Sequence, residues 1–381
     1  MRLMTRWRAC MVALALAVPA ALAAPASASE VVGHVYVNDN TATVNTIAAF
    51  ARHADGRLTP LPGSPFAAGG AGTGTGIASQ GALQETRSGR YLLAVDAGSN
   101  QISVLRIESD GSLQLVRGGV VGSGGVDPVS IAVHRRLVYV ANAGSTDSNY
   151  TGFRLGRHGQ LTPLAGSTIP LPNGSQPGDV LFNADGSKLA GTRVATSQID
   201  SFTVAPGGLL TAAPGSPYPA QGLGPFGSEF RPTNPNQLFV SNAHNVGTGT
   251  GTVSAFSVAP NGSLSSIGSS PFPDGQTAPC WVEISHDGRY LFAVNTADST
   301  ISRYRIKSDG SLVLLGSTPL RTPSAGAQDA RLSPSGDTLW VVESAAKAVS
   351  GFRVSGGTLT ELPTSPTPLP ANATAAGIVV N

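Results

Sequence analysis

Cysteine is almost missing from this chain: 381 residues contain two, Cys10 and Cys280. Cys10 belongs to a leader-like N-terminus, so the remainder keeps one thiol and no internal disulfide can form. Charged residues make up only 12 % of the sequence and aromatics only 6 %. Three of the arginines, Arg2, Arg6 and Arg8, lie at the very start. Without them 21 cations face 22 anions, a balance that argues against nucleic acid or an anionic membrane as partner. Beyond the N-terminus no apolar run is long enough to span a bilayer. No stretch holds apolar residues at helical spacing over three turns, which leaves β structure.

What is present agrees. The 47 glycines and 28 prolines supply turns, and 41 % hydrophobic residues exclude general disorder. The basic start MRLMTRWR, the apolar run after it and the small residues Ala26-Ser27-Ala28 predict a secretory signal peptide over 1–28. Cys10 precedes the apolar run rather than a cleavage site, so no lipid anchor is expected. The mature chain, 29–381, is expected to be one extracellular or periplasmic domain.

Internal repeats decide its fold. A turn of the form Asp/Asn/Gly-Gly recurs with its second glycine at 56, 111, 208, 262, 310 and 357, and His158-Gly159 is a looser copy. The gaps are 55, 48, 49, 54, 48 and 47 residues, and the two long ones contain the insertions GGAGTGTG (69–76) and GTGTGT (247–252). Each unit holds four short runs rich in Val, Ile, Leu, Tyr and Phe, as in WVEIS, RYLFAVN, TISRYRI and SLVLLGSTP. Four strands every ~48 residues predict an all-β, seven-bladed β-propeller. The first unit lacks its innermost strand, whereas AAGIVVN (375–381) looks like an innermost strand without a unit. Pairing of the two ends would close the ring. The glycine insertions lack the Lys-Ser/Thr of a phosphate-binding loop and are expected to be flexible surface loops.

The segments HDGRYLFAVNTADSTISRYRIKSDGSL (286–312), SGRYLLAVDAGSNQISVLRIESDGSL (88–113) and LSPSGDTLWVVES (332–344) resemble the lactonase family of seven-bladed propellers. That family includes the 6-phosphogluconolactonase and carboxymuconate cyclase types, and YVTN-type surface propellers share much of the repeat. The resemblance covers the mature chain and implies chemistry at the channel mouth, with an Arg gripping an anionic substrate and His or Glu moving protons. The implied positions are substituted here. The His of P-H-S-V is Val129, the Arg-His of G-P-R-H is Phe226-Gly227, the Glu of N-E-L is Ala243 and the Arg of N-R-G is Thr296.

Other residues could act in their place. Asp179, Asp329 and His244 are the catalytic candidates, by carboxylate pairing or general-base chemistry. Arg193 and Glu343 end second strands where other units place Asn or Asp, and with Trp281 they are candidates for ligand binding. Glu229, Glu283 and Arg331 occupy equivalent places in three successive blades, are expected to form a channel cluster and are further candidates for ligand binding. For each, the alternative is structural: turn capping, an ion pair, inter-blade packing or a satisfied polar network. Cys280 is expected to be a buried small residue. Three functions remain open: a non-catalytic or altered member binding a small molecule, glycan or protein at the channel face, an active lactone hydrolase or cyclase using substitute residues, and a surface scaffold. No cofactor or metal, no nucleic acid and a monomeric state are expected.

Overall fold

The computed structural model describes residues 29–381; the expected signal peptide lies outside them. Seven antiparallel sheets surround a central channel. The innermost strands of blades two to seven are Leu83–Glu85, Pro128–His134, Pro177–Phe182, Pro225–Arg231, Pro279–Ile284 and Ala327–Leu332. Blade one takes its innermost strand, Ile378–Val380, from the far end of the chain. That strand pairs with Val31–Asn38 in the register Val35↔Val380, Tyr36↔Val379 and Val37↔Ile378. The ring therefore closes through its termini, as expected from the unpaired repeats. In five blades the outermost strand is split into two short pieces that share one partner, as Leu58–Pro60 and Phe66–Ala67 share Thr46–His53.

A propeller blade is covered on both faces by its neighbours, so its central strands cannot alternate apolar and polar residues. The second strands accordingly form continuous buried runs. YLLAVD (Tyr91–Asp96) and LVYVAN (Leu137–Asn142) have all six residues buried. Every second strand ends, and every innermost strand begins, at the same end of the channel, here called the mouth. The turns between third and outer strands lie at the opposite end, the base.

Those base turns carry the repeated glycine, and its conformation is nearly invariant: φ runs from +79° to +89° at Gly56, Gly111, Gly159, Gly208, Gly262, Gly310 and Gly357. A β-carbon is penalised there by backbone geometry alone. It is penalised again by packing, because each turn presses on the preceding blade. A β-carbon on Gly111 would lie 2.2 Å from the His34 ring, and one on Gly357 would lie 2.4 Å from Tyr290. Tyrosines reach across the same seam: the Tyr36 hydroxyl donates to the Gly111 carbonyl at 2.8 Å and Tyr139 to Gly208 at 2.9 Å.

Two outcomes are expected. Gly111→Ala should lower unfolding free energy by about 3 kcal/mol, whereas Gly118→Ala, also at positive φ but with open space around it, should cost only about 1–2 kcal/mol. Urea melts of the two variants check this, and equal losses would remove the docking term. Deleting 375–381 strips three buried strand residues from blade one. At about 1.5–3 kcal/mol per buried side chain the loss should exceed 5 kcal/mol, and a truncated protein melting like the full chain would contradict closure.

Candidate functional site

The link from blade one to blade two determines the channel's form. Its glycine-rich part is held from both sides: Gly72 and Gly74 amides donate to the Thr41 and Asn40 carbonyls at 2.8 and 3.0 Å, and the Ala71 amide donates to Ser99 Oγ at 2.9 Å. A β-carbon on Gly72 would sit 2.3 Å from the Asn40 carbonyl carbon. The expectation of a free surface loop over 69–76 therefore fails, because the glycines permit close backbone approach.

The segment then runs into the channel, where Ser79 and Gln80 are buried. The Gln80 amide donates to the Gly178 carbonyl at 2.9 Å, its Nε2 donates to the Ser228 carbonyl at 2.9 Å, and its Oε1 accepts from the Val282 amide at 3.0 Å. The Trp281 indole donates to the Ser79 carbonyl at 2.6 Å. The Gly81 amide donates to Asp329 at 3.2 Å, and its carbonyl accepts from the Ile131 amide at 2.9 Å. One short segment thus bonds to blades three, four, five, six and seven and closes the channel as a plug. The sequence reading missed Gln80. Its only trace is the long gap before Gly111, whose insertion 69–76 leads into Ile77-Ala78-Ser79-Gln80.

Above the plug, a mouth cavity of about 300 Å³ is lined by Ile77, Val129, Val194 and Phe226, with Asp127 and His244 among its polar members. Phe226 meets Trp281 edge-on at 5.4 Å. His244 is exposed and packs over Gly224, whose β-carbon position lies 2.5 Å from its ring. A β-carbon on Gly227 would fall 2.2 Å from Gln80 Oε1 and 2.7 Å from the Cys280 carbonyl oxygen.

Below the plug, a chamber of about 150 Å³ contains Gln84, Asp179, Ser228, Glu229 and Arg331 among its lining residues. Asp179 accepts from the Ser228 amide and hydroxyl at 2.9 and 2.7 Å and from the Ser130 hydroxyl at 3.2 Å, joining blades three, four and five. Burial outweighs these bonds and pushes its carboxyl up to about 7. Burial likewise raises Asp329 to about 6. Glu283 meets Arg331 at 3.3 Å and accepts from the Leu332 amide at 2.9 Å. Glu229 joins the group with one oxygen buried and unpartnered, and burial followed by the Glu283 charge holds its carboxyl well above the usual range. The structure thus gathers Asp179, Asp329, Glu229, Glu283 and Arg331.

It does not bring His244 to them, nor the remaining candidates. Arg193 is buried in a two-pronged ion pair with Asp200 at 2.7 and 2.6 Å, and Tyr150 donates to the same carboxylate at 3.1 Å. Glu343 is buried and accepts from the Ser350 hydroxyl. Both follow a pattern seen in five of the seven blades: the last residue of the second strand bonds to the residue seven positions on, across the hairpin. Asn142–Asn149 and Asn295–Ser302, at 2.8 and 2.9 Å, are the common form. The charge of Arg193 is thus met by Asp200, whereas Glu343 keeps one buried oxygen without a partner. Trp281 is 2 % exposed and engaged by Ser79 and Phe226, which leaves no face for stacking. Cys280 is buried, and burial pushes its thiol up to about 11, far from thiolate chemistry.

Residues 230–373 match the protein family described as lactonase, 7-bladed beta-propeller. The matched segment covers 144 of the 381 residues, and the fold around it is a seven-bladed propeller. No curated protein matches it. Among solved structures, a Bacteroides uniformis protein provisionally described as a 6-phosphogluconolactonase is 19 % identical, with 92 % of this chain and 99 % of that one covered and a TM-score of 0.72. The periplasmic gluconolactonase of Pseudomonas aeruginosa is 17 % identical, with coverages of 91 % and 98 % and a TM-score of 0.70. A Lactobacillus plantarum protein is 18 % identical, with coverages of 92 % and 99 % and a TM-score of 0.72. At these identities the likeness is one of fold.

The raised carboxyl of Asp179 makes stability depend on pH. The folded ring keeps that proton up to about pH 7, while an unfolded aspartate loses it near 3.8. Stability from this group is therefore full at low pH and is lost as pH rises through about 7, by at most about 4 kcal/mol. Asp179→Asn should flatten that slope in urea melts at pH 5 and 7.5. Part of the slope remains, because burial also raises Asp39 to about 7. An unchanged slope would show that Asp179 is ionised in the fold.

Proposed function

We propose that this chain is an exported lactonase-type propeller that has lost the family's ring-opening chemistry and binds a small, largely apolar ligand in its mouth. The observation that carries the reading is the space at Gly227. This position matches the proton-transferring His of the resembled family, and Gln80 Oε1 together with the Cys280 carbonyl fills the place of its β-carbon. No side chain enters there while the plug is seated. The adjoining positions agree: Val129 and Phe226, where the resemblance implies His and Arg, give the cavity apolar walls. An anionic substrate finds no guanidinium at this level of the channel, since Arg193 is held by Asp200 and Arg331 lies on the far side of the plug.

The second reading, hydrolysis by substitute residues, loses its constellation. His244 stands at the mouth, whereas Asp179 and Asp329 are buried beneath Gln80 and Gly81 with their oxygens engaged. A general base must come within hydrogen-bond reach of the water it activates, and no single substrate position meets all three.

Purified protein incubated with a panel of alkyl γ- and δ-lactones and sugar lactones should show no hydrolysis above the uncatalysed rate. Apolar lactones of the same panel should raise the melting temperature, and Phe226→Ala should weaken that binding at least tenfold. Turnover that His244→Ala abolishes would restore the enzymatic reading. A panel without any thermal shift would remove the ligand pocket.

A further inference from the structure

The base of blades two and three carries an unusual concentration of one charge. Residues 87–158 hold eight arginines against five acidic residues, while the rest of the chain from residue 29 holds 13 cations against 17 acids. Six of the eight arginines line two grooves that meet at the Thr86–Tyr91 hairpin. One groove, of about 340 Å³, is lined by Arg90, Arg106, Arg117 and His158 together with Gln114 and Gln160. The other, of about 370 Å³, is formed by Thr86, Arg87, Ser88, Arg135 and Arg136. No carboxylate lines either one.

The grooves are products of the fold rather than of loose side chains. The floor of the first is the seam between blades two and three, where the Tyr91 hydroxyl donates to the Arg157 carbonyl at 3.0 Å. Gly159 lies so close that a β-carbon there would meet the Tyr91 ring at 2.7 Å. Above that seam the Arg90 guanidinium lies over the Tyr91 ring at 5.6 Å, and Gln160 reaches the Arg117 carbonyl at 3.4 Å. Of the six arginines only Arg106 is in an ion pair among the described residues, with exposed Glu108 at 2.6 Å. Like charges gathered on one face repel one another, and a folded surface that leaves five of the six without an ion pair is suited to an anion.

We infer that this arginine track binds a linear polysaccharide bearing carboxylate or sulfate groups. Its extent over two joined grooves suits a chain of spaced charges better than a single small anion, and the planar guanidinium fork matches both oxyanions. Single-stranded nucleic acid needs exposed aromatic faces on which to stack, and Tyr91, the aromatic of the track, is buried. A lipid surface needs exposed apolar residues to insert, and Leu115 is the only large one along the grooves. The track lies at the base, so a propeller held on such a polymer would leave its mouth free.

The test is binding of the full mature chain to immobilised polygalacturonate and heparin, with duplex DNA and phosphatidylserine vesicles as comparators. Binding to at least one polysaccharide is expected, lost in 0.5 M salt and weakened at least tenfold in the triple variant Arg90→Ala, Arg117→Ala, Arg135→Ala. The polymer that binds more tightly tells carboxylate from sulfate. A control pair elsewhere on the base, Arg289→Ala with Arg353→Ala, should bind as the unaltered chain does. All these positions are exposed, so thermal melts should confirm folding, and the single variants Arg117→Ala and Arg135→Ala carry the same test with two- to threefold losses. Failure to bind either polysaccharide, equal binding by variant and unaltered chain, or tighter binding to DNA or vesicles would each overturn the inference. None of these outcomes bears on the mouth.

Discussion

The ring depends on the contact between the tight turn of each blade and the face of the blade before it. A blade has no core of its own: its sheet is apolar on both faces and is stable only between two neighbours. The turn after the third strand supplies a fixed point in that stack. Its glycine takes a positive φ to make the hairpin, and the same missing β-carbon lets it sit against the preceding blade, as Gly159 sits against Tyr91 and Gly310 against Gln237. Seven such contacts must agree in spacing, which is why the period stays near 48 residues once the insertions are set aside. The same logic requires closure. An unclosed ring would expose two apolar faces and one sheet edge, and Ile378–Val380 removes them by completing the blade that opens the chain.

Channel chemistry follows from how the centre of that ring is filled. Innermost strands of a seven-bladed ring stand too far apart to bond to one another across the axis, so their polar backbone groups need other partners or water. Here the segment after blade one supplies them. Gln80 answers a carbonyl of blade four, a carbonyl of blade five and an amide of blade six. Gly227 and Gln80 are thereby linked, since the glutamine amide needs the volume that any side chain at 227 would take. The bareness of Gly224-Pro225-Phe226-Gly227 thus reflects a channel filled from within rather than a strand that lacks partners.

The parts of this structure that were legible in the sequence are those that recur. Seven turn glycines, the continuous apolar second strands and the unpaired ends gave the blade number and the mode of closure. The last residue of each second strand could be placed as well, but not its role. Arg193 looked like an exception among asparagines, although its partner Asp200 stands seven positions on, where Asn142 has Asn149 and Asn295 has Ser302. A charge pair had replaced an amide pair at one hairpin, and a test at that fixed spacing would have found it. The plug was illegible for a different reason. Its partners lie as far away as Trp281 and Asp329, and it belongs to an insertion whose glycines resemble those of a loose loop. The arginine track escaped because net charge averages over the chain, so a local excess is cancelled by a deficit in other blades.

Along its axis the protein separates three electrostatic environments. At the mouth, Ile77, Val129, Val194 and Phe226 supply apolar wall between polar members such as Asp127 and His244, and the nearby guanidinium of Arg193 is neutralised by Asp200. Beneath the plug, Asp179, Asp329, Glu229 and Glu283 surround a single cation, Arg331, and burial favours their protonated forms. Like charges this close disfavour joint ionisation, and the neighbouring Glu283 charge adds to burial in raising Glu229. Of the cations along this channel, Arg193 is paired with Asp200 and Arg331 with Glu283. Six arginines line the two grooves at the base, outside the channel, and among the described residues only Arg106 of these is in an ion pair. The arginine-lined grooves of the base and the cavity of the mouth are thus physically separate in this propeller, with the plug and the buried carboxylates between the mouth and the far end of the channel.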